Sequence, residues 1–225
     1  DLNTARYALG GAGATNTAVL AFGGDSPPKN ETELWGGSSW TEVANLNTPR
    51  GYGAGVGVST AALFVAGNYP VSAVVEQWNG SSWTEIADVN TAVYELRGVG
   101  TVTNAIKFGG RLQPGTRQAI TESWNGSSWT EVADLNTARS DLAAGGTYTA
   151  ALAFGGNGTA ISALTEQWNG SAWTEVGDLT TAREGLAGTG TTTAALASSG
   201  IAGSRTTATE EWNSPSNVVK TITTS

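Results

Sequence analysis

Four short apolar or alternating stretches, separated by turn signals, recur five times along the chain, and nowhere are apolar residues spaced helically over ten or more positions. In the first unit these stretches fall at about residues 7–14 (YALGGAGA), 17–22 (TAVLAF), 31–36 and 39–44. The pattern predicts four strands per unit, a to d, and no helix. The unit length comes from a WNGSSWTEV-like core whose first tryptophans are Trp35, Trp78, Trp124, Trp168 and Trp212, spaced by 43, 46, 44 and 44 residues. Units of this length cannot bury their apolar face alone and stack on their neighbours, as in solenoids and propellers. The expected fold is all-β: a single five-bladed β-propeller of four antiparallel strands per blade. Its blades run approximately over 1–44, 45–87, 88–133, 134–177 and 178–225.

Strand a is glycine-rich in every copy: LGGAGA, YGAGVG, LRGVGT, LAAGGT and LAGTGT. Glycine weakens an ordinary strand, so its recurrence marks a place where backbones approach closely. In a propeller that place is the axis, where the innermost strands converge. Between strands c and d, Asn-Gly is a strong hairpin signal, and it sets Trp124 opposite Trp129. By this pattern Trp35, Trp40, Trp78, Trp83, Trp124, Trp129, Trp168, Trp173 and Trp212 form the structural core, wedged between blades. Each such indole contributes about 4 to 6 kcal/mol as an upper bound, at ~25 cal/mol per Å² of apolar surface buried.

The order Arg, small-residue strand, apolar strand ending in Gly-Gly, Glu-x-Trp and Trp-Thr-Glu-Val resembles the kelch repeat of β-propellers over the whole chain. The double glycine stands at Gly23-Gly24, Gly109-Gly110 and Gly155-Gly156, decayed to Gly67-Asn68 and Ser199-Gly200. The glutamate is Glu33, Glu76, Glu122, Glu166 or Glu210. The resemblance implies that Arg6, Arg50, Arg139 and Arg183 tie strand a to a neighbouring turn or to that glutamate. Val93 replaces the arginine in the third unit, and Arg97 either takes its place or points into the axial channel. Kelch propellers usually have six or seven blades, so five units imply a small ring or part of a longer array. The last unit has Asn217 where the second tryptophan is expected and ends in the polar VVKTITTS, which suits an array end.

Antiparallel order puts the b–c and d–a loops on one face. The c–d turns barely change between copies, whereas the b–c loops read DSPPKN, NYPVSA, RLQPGTRQAI, NGTAIS and IAGSRTTA. Binding residues tend to gather on loops held by a rigid scaffold, so the candidate ligand-binding residues are Lys29, Tyr69, Arg111, Gln113, Arg117, Asn157 and Arg205. Unconstrained drift of these loops is the competing account. In the d–a turns Asp or Asn recurs two residues apart, as at Asn45 and Asn47. Such oxygens suit a calcium ion or, more simply, turn closure. Sequons stand at Asn30, Asn79, Asn125, Asn157 and Asn169, and Asn79, Asn125 and Asn169 are already explained by the hairpin.

Composition narrows the function. The chain has 31 Gly, 13% charged residues and a net charge of −8. Its eleven scattered Lys and Arg give no phosphate-binding cluster, so nucleic acid is not an expected partner. No apolar run of 18 residues occurs, so no membrane insertion is expected. The absence of His and Cys removes the usual general base, nucleophile pairs and transition-metal ligands. No enzyme activity, cofactor or metal is expected. Were the tryptophan pairs solvent-facing, they would suit sugar stacking as in small lectin propellers; their kelch positions argue for core. The expectation is therefore a monomeric ring that binds a glycan or protein surface through its b–c face. The alternative is a structural or display module of a larger surface or virion protein. The near-identical WNGSSWTEV and AALAFGG units also resemble repeat proteins of marine bacteria and their phages, some in tail or fibre settings. That implies an extracellular or virion-associated location. The chain begins at Asp1 and holds no Met, which suits a processed, excised or designed polypeptide.

Overall fold

The computed structural model describes residues 1–25, 27–68 and 70–213, together with the backbone of the last strand, Val218–Ile222. Blade 1 comprises β1 (Gly10–Thr15), β2 (Ala18–Phe22), β3 (Thr32–Trp35) and β4 (Trp40–Val43). Blade 2 comprises β5 (Ala54–Val58), β6 (Ala61–Gly67), β7 (Ser72–Trp78) and β8 (Trp83–Ile86). Blade 3 has β9 (Arg97–Gly100), β10 (Ala105–Phe108), β11 (Thr121–Trp124) and β12 (Trp129–Glu131). Blade 4 has β13 (Ala143–Thr147), β14 (Ala150–Phe154), β15 (Thr165–Trp168) and β16 (Trp173–Glu175). Blade 5 has β17 (Ala187–Gly190), β18 (Ala194–Ser198), β19 (Thr209–Asn213) and β20 (Val218–Ile222). Each blade is a sequential antiparallel sheet, and together they form the five-bladed β-propeller.

The first strands of the blades line the axial channel with Gly11, Gly55, Gly98, Gly145, Gly188 and their neighbours. Glycine is needed there for close approach: a Cβ on Gly55 would lie 2.4 Å from the Gly11 carbonyl oxygen. Between blades, the tryptophan hairpins fill the gaps. Trp78 and Trp83 are buried with Leu20, Phe22, Leu46 and Phe64, while Trp168 and Trp173 are buried with Ile106, Phe108 and Leu135. The second indole of a pair stacks on the preceding blade: the rings of Trp83 and Phe22 are 4.9 Å apart, and those of Trp173 and Phe108 are 4.8 Å apart. Its Nε1 donates to a threonine there, Trp83 to Thr32 (2.9 Å) and Trp173 to Thr121 (3.1 Å). Val75 occupies that position in blade 2, and Trp129 Nε1 is buried without an acceptor among the described residues.

Two positions differ from the expected alignment. Residue Ala66, with φ of 58°, sits where Gly23 (φ 65°) and Gly155 (φ 65°) sit in their blades. The double-glycine equivalent in blade 2 is therefore Ala66-Gly67, not Gly67-Asn68, because Gly67 makes the inter-blade backbone bond made elsewhere by Gly24, Gly110 and Gly156. Asn217 lies outside the described residues; the ladder register instead pairs Trp212 with Val219, the place of the second tryptophan in other blades.

A chain of backbone hydrogen bonds stitches consecutive blades at one end of the channel. Tyr52 donates to Ala8, Glu95 to Tyr52, Asp141 to Glu95 and Gly185 to Asp141, at 2.8 to 3.0 Å. Among the described residues no bond from Ala8 to Gly185 completes the circle. At this fifth junction Trp35 and Trp40 are half-buried and β17 is exposed, whereas Trp78, Trp83, Trp124, Trp129, Trp168, Trp173 and Trp212 are buried.

Candidate functional site: the channel mouth on the b–c face

The repeated arginines and glutamates form the same ion pair in four of the blades, beneath the variable face. Arg6 pairs with Glu33 (2.7 Å), Arg139 with Glu166 (2.9 Å) and Arg183 with Glu210 (2.8 Å), and Arg50 pairs likewise with Glu76. Each glutamate's second oxygen is also occupied: Glu166 Oε2 accepts from the Asn136 backbone N–H (2.6 Å) and side-chain amide (2.8 Å). The first Asx residue of the turn caps the adjoining strand, as where Thr32 N–H donates to Asn45 Oδ1 (3.1 Å) and Thr121 N–H to Asp134 Oδ1 (2.9 Å). These oxygens are thus engaged with backbone amides. Blade 3 keeps the same charge balance by another route. Lys107 on β10 reaches Glu122 at 2.7 Å, with both side chains fully buried. Val93 is therefore compensated by Lys107, not by Arg97. Burial lowers the pKa of Lys107, with Glu122 pulling it back up.

The frame carries a second set of equivalent positions that do not repeat. Ala8, Tyr52, Glu95, Asp141 and Gly185 lie two residues ahead of an inner strand or nearly so, all with φ between 53° and 60°. They are the residues linked by the backbone chain around the channel mouth. Left-handed backbone is uncommon away from glycine, and here it is held by the inter-blade bonds. Their side chains differ completely, and two of them are acids.

Arg111 Nη2 donates to Glu95 Oε1 at 2.5 Å, with the guanidinium 4.8 Å above the Tyr94 ring. Glu95 Oε2 is buried and has no donor among the described residues. Asp141 is its neighbour: burial, a side-chain hydrogen bond with Glu95 and the Glu95 charge push the Asp141 carboxyl up to about 7, against the pull of Arg97 and Arg111. A proton on Asp141 supplies the donor that Glu95 Oε2 lacks. Burial also opposes the charge on Arg111, but Glu95 outweighs it and raises the Arg111 pKa. Arg97, at the start of β9, lines the mouth with Gly10, Gly11, Gly53, Gly55 and Gly98. Its Nη1 donates to Leu96 O (3.0 Å), and among the described residues it makes no ion pair. Burial lowers its pKa, against Asp141 and Glu95.

The residues expected from the sequence divide into two groups. Arg111, Arg117 and Asn157 join one polar network: Arg111 and Arg117 are bridged in the blade 3 loop, Arg117 Nη2 donates to Asn157 Oδ1 (3.0 Å), and Asn157 Nδ2 donates to Glu184. Lys29 pairs with Glu31 at 3.6 Å, and Gln113 and Arg205 are exposed on their loops; Arg205 is bridged through Ile201 to Glu184 of this network. Tyr69 lies outside the described residues. Sequence reading missed Glu95, Asp141 and Glu184, and left Arg97 open. The signal was present two residues after the recurrent arginine, where Ala8, Tyr52, Glu95, Asp141 and Gly185 differ in every copy. No helix among the described residues is long and apolar enough to cross a membrane, and they contain no metal-binding cluster of three or more acidic, His or Cys side chains. No protein-family model matches the chain, and no curated protein matches it.

Proposed function

We propose that this protein is a non-catalytic, glycan-binding propeller of kelch type that acts outside cells or on a virion surface. The b–c face is its recognition surface. One observation carries the proposal: on a frame repeated five times, the five equivalent positions at the channel mouth hold five different residues, and they adjoin the Arg111–Glu95 and Arg117–Asn157–Glu184 contacts. Planar polar side chains in fixed orientation suit the bidentate pairing that sugar hydroxyls offer. Aromatic rings beside them supply the stacking platform: Tyr7 and Tyr52 meet edge-on at 6.2 Å, and Tyr7 is 52% exposed. The tryptophan pairs serve as core in this assignment, not as sugar platforms. Catalysis is set aside because the chain has no His or Cys and because the repeated glutamates are saturated by arginine or lysine and by asparagine or backbone amides.

A glycan array probed with the wild-type protein and with Arg111→Ala tests this. Selective binding that Arg111→Ala loses, with an unchanged circular-dichroism spectrum, supports the proposal. Silence across the array overturns it and leaves a structural or display module.

A further inference from the structure

The channel mouth holds a guanidinium with spare donors. Arg97 is half-buried, donates once to Leu96 O and forms no ion pair among the described residues, although two carboxyl groups lie in its vicinity. Its remaining N–H groups face the open space of the mouth, where an anionic ligand can reach them. The space before it is lined mainly by glycines, with Leu9 and Ala54, which leaves room for a small ligand. Glu95 does not serve, because Arg111 already occupies its Oε1. Asp141 adjoins Glu95 through the inter-blade backbone bond and the donorless Glu95 Oε2, and its carboxyl, pushed up to about 7 by burial and Glu95, adds no charge below neutrality.

We propose, resting on the glycan-binding reading above, that the mouth selects acidic sugars, with Arg97 clamping a uronic-acid carboxylate and the Glu95–Asp141 pair acting as a proton-controlled gate on affinity. A planar guanidinium with two free N–H groups matches a carboxylate in a bidentate fork, which a neutral sugar cannot exploit. The charged and titratable groups around Asp141 are Glu95 ahead of β9, Arg97 on β9 and Arg111 from the blade 3 loop, with Tyr94 beneath Arg111. With Asp141 protonated, the four groups sum to one positive charge. Once that proton leaves, the sum is zero and a carboxylate ligand meets an added repelling charge. Affinity for the acidic sugar falls as the pH rises through neutrality.

Calorimetric titration of the wild-type protein with D-galacturonate, D-galactose and acetate at pH 6 and pH 8 tests this. D-galacturonate is expected to bind at pH 6 and about five- to tenfold more weakly at pH 8, as one added charge in a partly solvated mouth gives. D-galactose and acetate are each expected to bind at least about tenfold more weakly than D-galacturonate. Arg97→Gln should abolish D-galacturonate binding with an unchanged circular-dichroism spectrum, and Asp141→Asn should retain it while flattening the difference between the two pH values. Equal binding of D-galacturonate and D-galactose, undiminished binding by Arg97→Gln, or a pH difference that survives Asp141→Asn overturns the proposal. Neutral glycans that bind and are lost in Arg111→Ala would leave the glycan reading standing while this inference fails; no binding by any glycan removes both. Acetate as strong as D-galacturonate would mean a carboxylate site without sugar selectivity and also overturns it.

Discussion

Arg139–Glu166 and Arg111–Glu95 are both arginine–glutamate pairs of hydrogen-bonding length, at 2.9 and 2.5 Å, yet they do different work. In the first, both side chains are almost wholly buried and both glutamate oxygens are filled, one by arginine and the other by Asn136. In the second, Arg111 is 30% exposed and Glu95 keeps one oxygen without a donor. A saturated carboxylate can only hold the blade together. One with an oxygen left over leans on a neighbouring acid, and that lean gives the mouth its titratable behaviour. Residue type is the same in both places; the number of donors delivered by surrounding backbone separates frame from site.

The largest test of that contrast is Arg139→Ala, which strands Glu166 as an uncompensated buried charge. Its unfolding free energy should drop by about 3 to 5 kcal/mol in urea titrations, whereas Arg111→Ala should cost less, about 1 to 3 kcal/mol, because Glu95 is buried but the partly exposed arginine leaves a space that water can enter. Comparable losses in the two variants would erase the distinction. Next in size is Thr121→Val, which removes the acceptor for Trp173 Nε1 and should cost about 1 to 3 kcal/mol, the penalty for an orphaned buried donor. The converse change, Val75→Thr, gives Trp129 Nε1 the acceptor it lacks and should raise stability by about 1 kcal/mol. A loss there would show that the blade 2–3 junction is not built like its neighbours.

The remaining test is a slope with pH. Folded Asp141 keeps its proton up to about pH 7, while in the unfolded chain it lets go near its ordinary 3.8. Between those values the folded state binds more protons, so acidity favours it, and this contribution declines as pH rises toward 7 and is level above. Asp141→Asn removes the slope, so the variant's melting temperature should rise relative to wild type from pH 5 to pH 8. A constant difference between the two would show that Asp141 does not titrate in this window.

Much of the frame was legible because it is local. Four strands per unit, the Asn-Gly hairpin and the facing of Trp124 and Trp129 follow from period-two alternation and turn chemistry over a few residues. The arginine–glutamate pairing came through the kelch resemblance. What the sequence hid was long-range. Lys107 replaces an arginine fourteen positions earlier only because β10 and β11 align it with Glu122. The double glycine of blade 2 shifted by one residue because Ala66 adopts positive φ, which composition disfavours. Glu95 and Asp141 become neighbours through the backbone bond between blades 3 and 4, and no spacing along the chain announces that. At the last hairpin, Val219 faces Trp212 because the connection is longer than in the other copies.

The backbone chain from Ala8 through Tyr52, Glu95 and Asp141 to Gly185 has two loose ends. Mechanically this makes the molecule a split washer. Strain from heat, crowding or a pull on the chain concentrates at the seam between the first and last blades, while the four stitched joints move as one piece. The acids of the mouth sit on the stitched side, next to each other and away from the seam, so a disturbance at the seam leaves Glu95 tied to Asp141.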